Sequence, residues 1–345
     1  MIVDDSMVAR TILSRMIESD GGFEIAAVAG SAEDAIDALH HVDVDVILLD
    51  LEMPGAGGLT ALPRIIEAAR GARVLIVSSL AEDGAEQTVA ALAMGAADTL
   101  PKPGTGRFNG RFSEILVGKL RALGSIPRPQ PRLRDRDDRA LATPLRAMSA
   151  DPVKMLAIGA STGGIHALGA LFGALPPRLS IPILVTQHLP APFMTVFARQ
   201  LGGAAKREAM VAADGMPVVA DRILIAPGDA HLTVEAVGGQ LRVRLDYNRS
   251  ASGCLPSLDP MFASVADAVG SGAMGVVLTG MGRDGTIGAT RMVACGGSVL
   301  AQDRATCAVY GMPRAVAEAG LLCAVMSPEN LARRIASRTG DQAWK

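Results

Sequence analysis

A serine framed by small residues, Gly159-Ala160-Ser161-Thr162-Gly163-Gly164, follows four apolar residues, Met155 to Ile158, and leads into helix-forming sequence. That order of buried strand, glycine turn and helix sets Ser161 where strand becomes helix, and Gly159, Ser161 and Gly163 match the G-x-S-x-G spacing of a nucleophile turn. Small flanks permit strained torsions and let a carbonyl carbon approach the hydroxyl. The start of the helix adds N–H groups without intrahelical partners. With the positive end of the helix dipole, these stand where the oxyanion of a tetrahedral intermediate would form. The chemistry within reach is acyl transfer. The competing reading is a glycine-rich turn that cradles a phosphate, a binding module rather than an enzyme. Gly159-x-Ser161-x-x-Gly164 is too poor in glycine for a dinucleotide fingerprint.

A nucleophilic serine needs a base, and the chain has five histidines. His40 and His41 lie far upstream, His166 follows the serine on its own helix, and His231 sits in the loop Ala226-Pro227-Gly228-Asp229-Ala230. His188 ends the apolar run Ile183-Leu184-Val185-Thr186-Gln187. Neighbouring parallel strands present their carboxyl ends to one crevice, so His188 is the expected general base. Two acids could orient it: Asp284, in the glycine-rich turn after Val276-Val277-Leu278, and Asp303, after Leu300-Ala301-Gln302. A glycine-rich loop bends into a crevice more easily, which favours Asp284 without excluding Asp303. The order Ser, His, Asp differs from the Ser, Asp, His of α/β-hydrolases, so this turn belongs to another fold.

The elements that must position these groups alternate β and α. Residues 1 to about 122 carry strand-like runs at Ile2-Val3, Phe23 to Val28, Val44 to Leu49, Val74 to Val77 and Thr99-Leu100, separated by helix-length segments. Further runs fall at Met155 to Ile158, Ile181 to Thr186, Ile223 to Ala226, Leu241 to Leu245, Gly275 to Thr279, Ser298 to Ala301 and Ala324 to Met326. Such alternation predicts an α/β protein of two doubly wound parallel-sheet domains, the first flavodoxin-like and the second Rossmann-like. In the first domain the strand ends carry Asp4, Asp5, Asp50, Ser78 and Lys102. Three converging carboxylates repel, and a hard cation such as Mg²⁺ relieves that, with Lys102 adding compensating charge. Asp50 can then accept a phosphoryl group to which Ser78 hydrogen-bonds.

Asp4-Asp5-Ser6, Asp50 with Glu52-Met53-Pro54, Val77-Ser78-Ser79 and Lys102-Pro103 resemble the signature positions of response-regulator receiver domains. The resemblance implies Mg²⁺ bound by Asp4, Asp5 and Asp50, phosphorylation of Asp50 by a histidine kinase, switching through Ser78 and Lys102, and a cis Lys102-Pro103 bond. Gln187-His188, Pro256-Ser257-Leu258-Asp259, Thr279-Gly280-Met281-Gly282-Arg283-Asp284-Gly285 and Gly311-Met312-Pro313, with the serine turn, resemble the CheB protein-glutamate methylesterase family. This second resemblance implies Ser161 as nucleophile, His188 as base, Asp284 as orienting acid, and backbone N–H donors at Thr162 and Met281 for the oxyanion. It also implies a cytoplasmic enzyme acting on chemoreceptors, releasing methanol from glutamate methyl esters and deamidating glutamines, with no cofactor for hydrolysis. A response regulator with a non-catalytic or phosphate-binding output domain is the alternative. Where the family's loop usually has Arg before Pro-Ser, this chain has Cys254-Leu255.

The expected partition is a receiver over 1–123, a linker over 124–152 rich in Pro, Arg and Asp, and a catalytic domain over 153–345. A net charge of −2 and 3% aromatic residues give no electrostatic or stacking case for nucleic acid. The four cysteines are dispersed, without C-x-x-C pairs, which suits a reducing compartment. No apolar run approaches the roughly 20 residues of a membrane span, so no membrane insertion is expected.

Overall fold

The computed structural model describes residues 1–55, 57–78, 82–102, 110–124 and 144–339, with the backbone alone at 82 and 83. The expected cis Lys102-Pro103 bond and most of the expected linker lie outside them. The chain divides into two units, Met1–Asp137 and Asp138–Lys345.

The first unit runs β1 (Ile2–Val3), α1 (Met7–Glu18), β2 (Val28–Ala29), α2 (Ala32–Leu39), β3 (Val46–Leu49), α3 (Gly57–Ala68), β4 (Arg73–Ser78), α4 (Glu82–Ala93), β5 (Asp98–Pro101) and α5 (Gly110–Gly124). Its sheet is parallel in the order β2-β1-β3-β4-β5, with Val3 opposite Leu49 and Leu49 opposite Ile76. The central strands are unbroken apolar runs because helices cover both faces. Ser6 and Ser31 start α1 and α2 by accepting the N–H of Ala9 and Asp34, which satisfies otherwise orphaned donors. The run expected from Phe23 to Val28 pairs only at its end. It is an edge strand, with Glu24, Ala26 and Val28 exposed.

The second unit runs β6 (Met155–Ala160), α6 (Gly164–Ala174), β7 (Ile183–Gln187), α7 (Ala191–Ala205), β8 (Ala209–Val211), β9 (Ile223–Ile225), β10 (His231–Val237), β11 (Gln240–Asp246), α8 (Leu258–Val269), β12 (Ala273–Val277), α9 (Thr286–Ala294), β13 (Ser298–Gln302), α10 (Met312–Glu318), β14 (Ala324–Met326) and α11 (Pro328–Ala336). Seven strands form a parallel sheet in the order β14-β13-β12-β6-β7-β9-β8. The chain passes from β6 to β7 on one side and later lays β12 on the other. That reversal opens a crevice at the carboxyl ends of β6 and β12, the usual place for a site in such sheets.

The βα alternation lapses between α7 and α8, where β8 and β9 follow without an intervening helix and a hairpin comes next. β10 and β11 form an antiparallel hairpin, closed at Gly238-Gly239 with φ of 59° and 80°, torsions that suit glycine and a two-residue turn. Helix α8 packs on β10, β6 and α9 and buries Leu258, Met261, Phe262 and Val265. Truncating Phe262, which is fully buried, to alanine would cost about 3–5 kcal/mol. The segment before β6 is held to this unit by hydrogen bonds from Arg146 N to Leu322 O, Ser149 N to Ser298 Oγ and Lys154 N to Gly272 O.

Candidate active site

Ser161 follows the last residue of β6, and α6 begins three residues later, so the strand-turn-helix read from the sequence is present. Gly163 takes φ of 76° at the N-cap of α6, and a Cβ there would also collide with Ala308. Two backbone bonds fix the serine: Ser161 N donates to Thr279 O at 3.0 Å, and Gly164 N donates to Ser161 O at 2.7 Å. The Gln187 amide adds a third, donating to Ser161 O at 2.9 Å.

His188 comes directly after β7, and its N–H donates to Ala160 O at 3.0 Å, so neighbouring strands hold base and serine side by side. The ring Nε2 is 2.8 Å from Asp284 Oδ2. Asp284 is 1% exposed and the imidazole 16%, a buried acid behind a base that solvent can still reach. With Nε2 committed to Asp284, the nitrogen left for the serine is Nδ1. Among the described residues the Ser161 hydroxyl makes no direct hydrogen bond to His188; such contacts often close only around substrate. Burial disfavours the imidazolium, yet hydrogen bonds with Asp284 and Cys254 outweigh it and raise His188 to about 9. Burial likewise disfavours the Asp284 carboxylate, and His188, Ser257 and Leu258 overcome this, lowering it to about 2.

The other candidates lie apart. Asp303 accepts from Thr306 N and Oγ1 at 2.9 Å and lines a separate cleft with Met326, Asn330 and Arg333. His166 is on the exposed side of α6. His231, read from the sequence as a loop residue, opens β10 and is fully buried. Its Nδ1 accepts from Ser257 N at 2.9 Å, so Nε2 carries the proton and donates to Asn248 O. Ser257 Oγ donates to Asp284 Oδ1 at 2.6 Å, and Leu258 N donates to Asp284 Oδ2 at 2.8 Å. A relay from His231 through Ser257 to Asp284 therefore orients the acid. The motif Pro256-Ser257-Leu258-Asp259 contained it, but only the N-cap role of Ser257 is local enough to read from sequence.

Of the expected oxyanion donors, Thr162 is buried and Met281 is 43% exposed. Thr162 O accepts from Thr279 Oγ1 at 2.9 Å. Gly280 lets the Met281 loop approach, since a Cβ at Gly280 would stand 2.7 Å from Ser161 Cβ. Both backbones thus border the serine.

In the first unit Asp4 and Asp50 are buried and Asp5 is exposed, with one oxygen of each within 4.8 Å of the others. Lys102 Nζ lies 2.7 Å from Asp50 Oδ2 and 2.9 Å from Asp4 Oδ2. The Asp4 contact lacks hydrogen-bond geometry, leaving a buried oxygen unsatisfied. Three carboxylates that offer only oxygens, with a single ammonium beside two of them, fit Mg²⁺. Burial pushes the Asp50 carboxyl up, against the Lys102 hydrogen bond that holds it down. Burial lowers Lys102, but Asp50 and Asp4 outweigh it and raise it. Ser78 Oγ is 2.6 Å from Thr88 Oγ1, a partner the sequence did not suggest.

The CheB methylesterase family profile matches residues 156–335, and that of the response regulator receiver domain matches residues 1–107. The protein-glutamate methylesterase/protein-glutamine glutaminase 2 of Caulobacter vibrioides is 41% identical, covering 99% of each chain. The corresponding enzyme 1 of Paramagnetospirillum magneticum is 38% identical over 94% of this chain and 92% of its own. The crystal structure of the Thermotoga maritima CheB methylesterase catalytic domain is 34% identical, with a TM-score of 0.53, and covers 54% of this chain and 99% of that one. A receiver domain followed by this hydrolytic fold, matched nearly end to end, places the chain in the CheB family of protein-glutamate methylesterase/protein-glutamine glutaminases.

Proposed function

We propose that this chain hydrolyses glutamate γ-methyl esters on chemoreceptors, releasing methanol, and deamidates receptor glutamines at the same centre, under control of phosphorylation at Asp50. The observation that carries the reading is the contact between His188 and the buried Asp284, beside a serine held at a strand-to-helix turn. A phosphate cradle would need the glycine turn but neither of those two residues.

Ser161 Oγ attacks the ester carbonyl carbon while His188 Nδ1 takes its proton, and the charge on His188 is stabilised by Asp284. The Thr162 and Met281 N–H groups stabilise the oxyanion. His188 returns the proton to the ester oxygen, which leaves as methanol, or to the amide nitrogen of a glutamine, which leaves as ammonia. A water then repeats the cycle, with His188 again as base, and frees the glutamate. In the receiver, Asp4, Asp5 and Asp50 would hold Mg²⁺, which offsets the negative charge of the incoming phosphoryl group. Asp50 accepts that group from a chemotaxis histidine kinase. Ser78 then exchanges Thr88 for a phosphoryl oxygen, and Lys102 pairs with another. The four cysteines are free, which supports action in a reducing compartment such as the cytoplasm.

Methanol release from methylated receptor fragments tests the reading. Ser161→Ala in the whole chain should lower it by at least about a thousandfold. Retention of more than about a thousandth of the wild-type rate would move the nucleophile elsewhere.

A further inference from the structure

The hydrolytic crevice contains a group that the ester chemistry does not use. Cys254, a free and half-buried thiol, stands in the loop before α8. Its backbone is held by Ser252 Oγ, which accepts the Cys254 N–H at 3.3 Å, and by Ser250 Oγ, which donates to the Cys254 carbonyl at 2.8 Å. The thiol faces the imidazole, its sulfur within 4.8 Å of a ring nitrogen of His188. One ligand atom each from Cys254, His188 and Asp284 lie within 4.8 Å of one another. A sulfur, a nitrogen and a carboxylate oxygen so grouped, with the imidazole still reached by solvent, are the donor set of a tetrahedral zinc site with one open position.

We propose that Cys254, His188 and Asp284 bind a borderline-soft divalent cation, Zn²⁺ being the best match, and that its binding reversibly arrests hydrolysis. The arrest, though not the binding, rests on the proposed role of His188. Coordination occupies an imidazole lone pair and draws on the carboxylate that orients the ring, so the base can no longer take the serine proton. On coordination the thiol proton is displaced to solvent. Asp4, Asp5 and Asp50 offer oxygens only and favour Mg²⁺, so the two sites sort cations by ligand softness.

The test uses the whole, reduced protein with Mg²⁺ in excess to fill the receiver. Co²⁺ serves as an optical probe, and Zn²⁺ is titrated against a chromophoric chelator. The expected results are a thiolate-to-cobalt charge-transfer band, one Zn²⁺ bound, and affinity lowered roughly 10–100-fold or more in Cys254→Ser. Hydrolysis by the wild type should fall on adding Zn²⁺ and return with EDTA. In Cys254→Ser, compared with its own metal-free rate, Zn²⁺ should have little effect. Absence of the band, or equal Zn²⁺ affinity in the two proteins, would overturn the site. Equal inhibition of both would overturn the arrest. The optical titration needs no turnover, so a chain without esterase activity would refute the functional reading and leave the metal site to be judged separately.

Discussion

The receiver pocket and the hydrolytic crevice use one architectural device for opposite electrostatic ends. Each collects side chains at the carboxyl ends of a parallel sheet, Asp4, Asp50 and Lys102 in one, Ser161, His188 and Asp284 in the other. In the receiver, buried carboxylates face one another with a single ammonium between them, and an oxygen of Asp4 stays unsatisfied. In the crevice, Asp284 is fully engaged by His188, Ser257 and Leu258. On the proposed function, the first takes up further charge, as a cation and a phosphoryl group, and the second moves one proton. Strand ends supply the positions, and the degree of hydrogen-bond satisfaction decides the chemistry.

Three experiments sharpen that contrast. The largest effect is expected from Asp284→Asn, which keeps the shape but removes the charge behind His188. The rate of methanol release should fall by roughly 10³–10⁴-fold, while Asp303→Asn, altering only a turn, should change it by less than about threefold. The opposite ranking in steady-state assays would transfer the orienting role to Asp303. Next comes the receiver: acetyl phosphate with Mg²⁺ should raise the rate of the whole chain several-fold and leave Asp50→Asn unmoved. Activation of that variant would show that another residue accepts the phosphoryl group. The smallest effect is in the pH profile. His188 must be unprotonated to act as base, and its pKa is raised to about 9, so kcat/KM should climb with pH from neutrality, pass its inflection near 9 and level off above it. In Asp284→Asn the residual activity should level off at lower pH, because burial disfavours the imidazolium and the Asp284 charge no longer opposes it. An unchanged inflection would mean that the limb belongs to a different group.

Much of this was legible in the sequence, for identifiable reasons. The turn from β6 to α6, the position of His188 after β7 and the acid cluster of the receiver are consequences of short-range pattern and parallel-sheet topology. The choice between Asp284 and Asp303 was not, since both follow buried strands; it depends on which loop reaches across β6. β10 was missed although Gly238-Gly239 between two alternating runs is a hairpin signal, because the loop Ala226 to Ala230 drew His231 into it. With that strand went the relay from His231 to Ser257 and Asp284, joining residues 26 and 27 positions apart. β8 is three half-buried residues, too short and too mixed to show a period.

The central claim is that Ser161, activated by His188, is the nucleophile, although a thiol stands against the same imidazole. Treating the whole, reduced, metal-free chain with a serine-directed phosphonate and mapping the adduct by peptide mass spectrometry addresses this most directly. The account predicts a single adduct on the peptide carrying Ser161, absent in Ser161→Ala and at least about a hundredfold slower to form in His188→Ala. An adduct on Cys254, or labelling of Ser161→Ala at the wild-type rate, would contradict it.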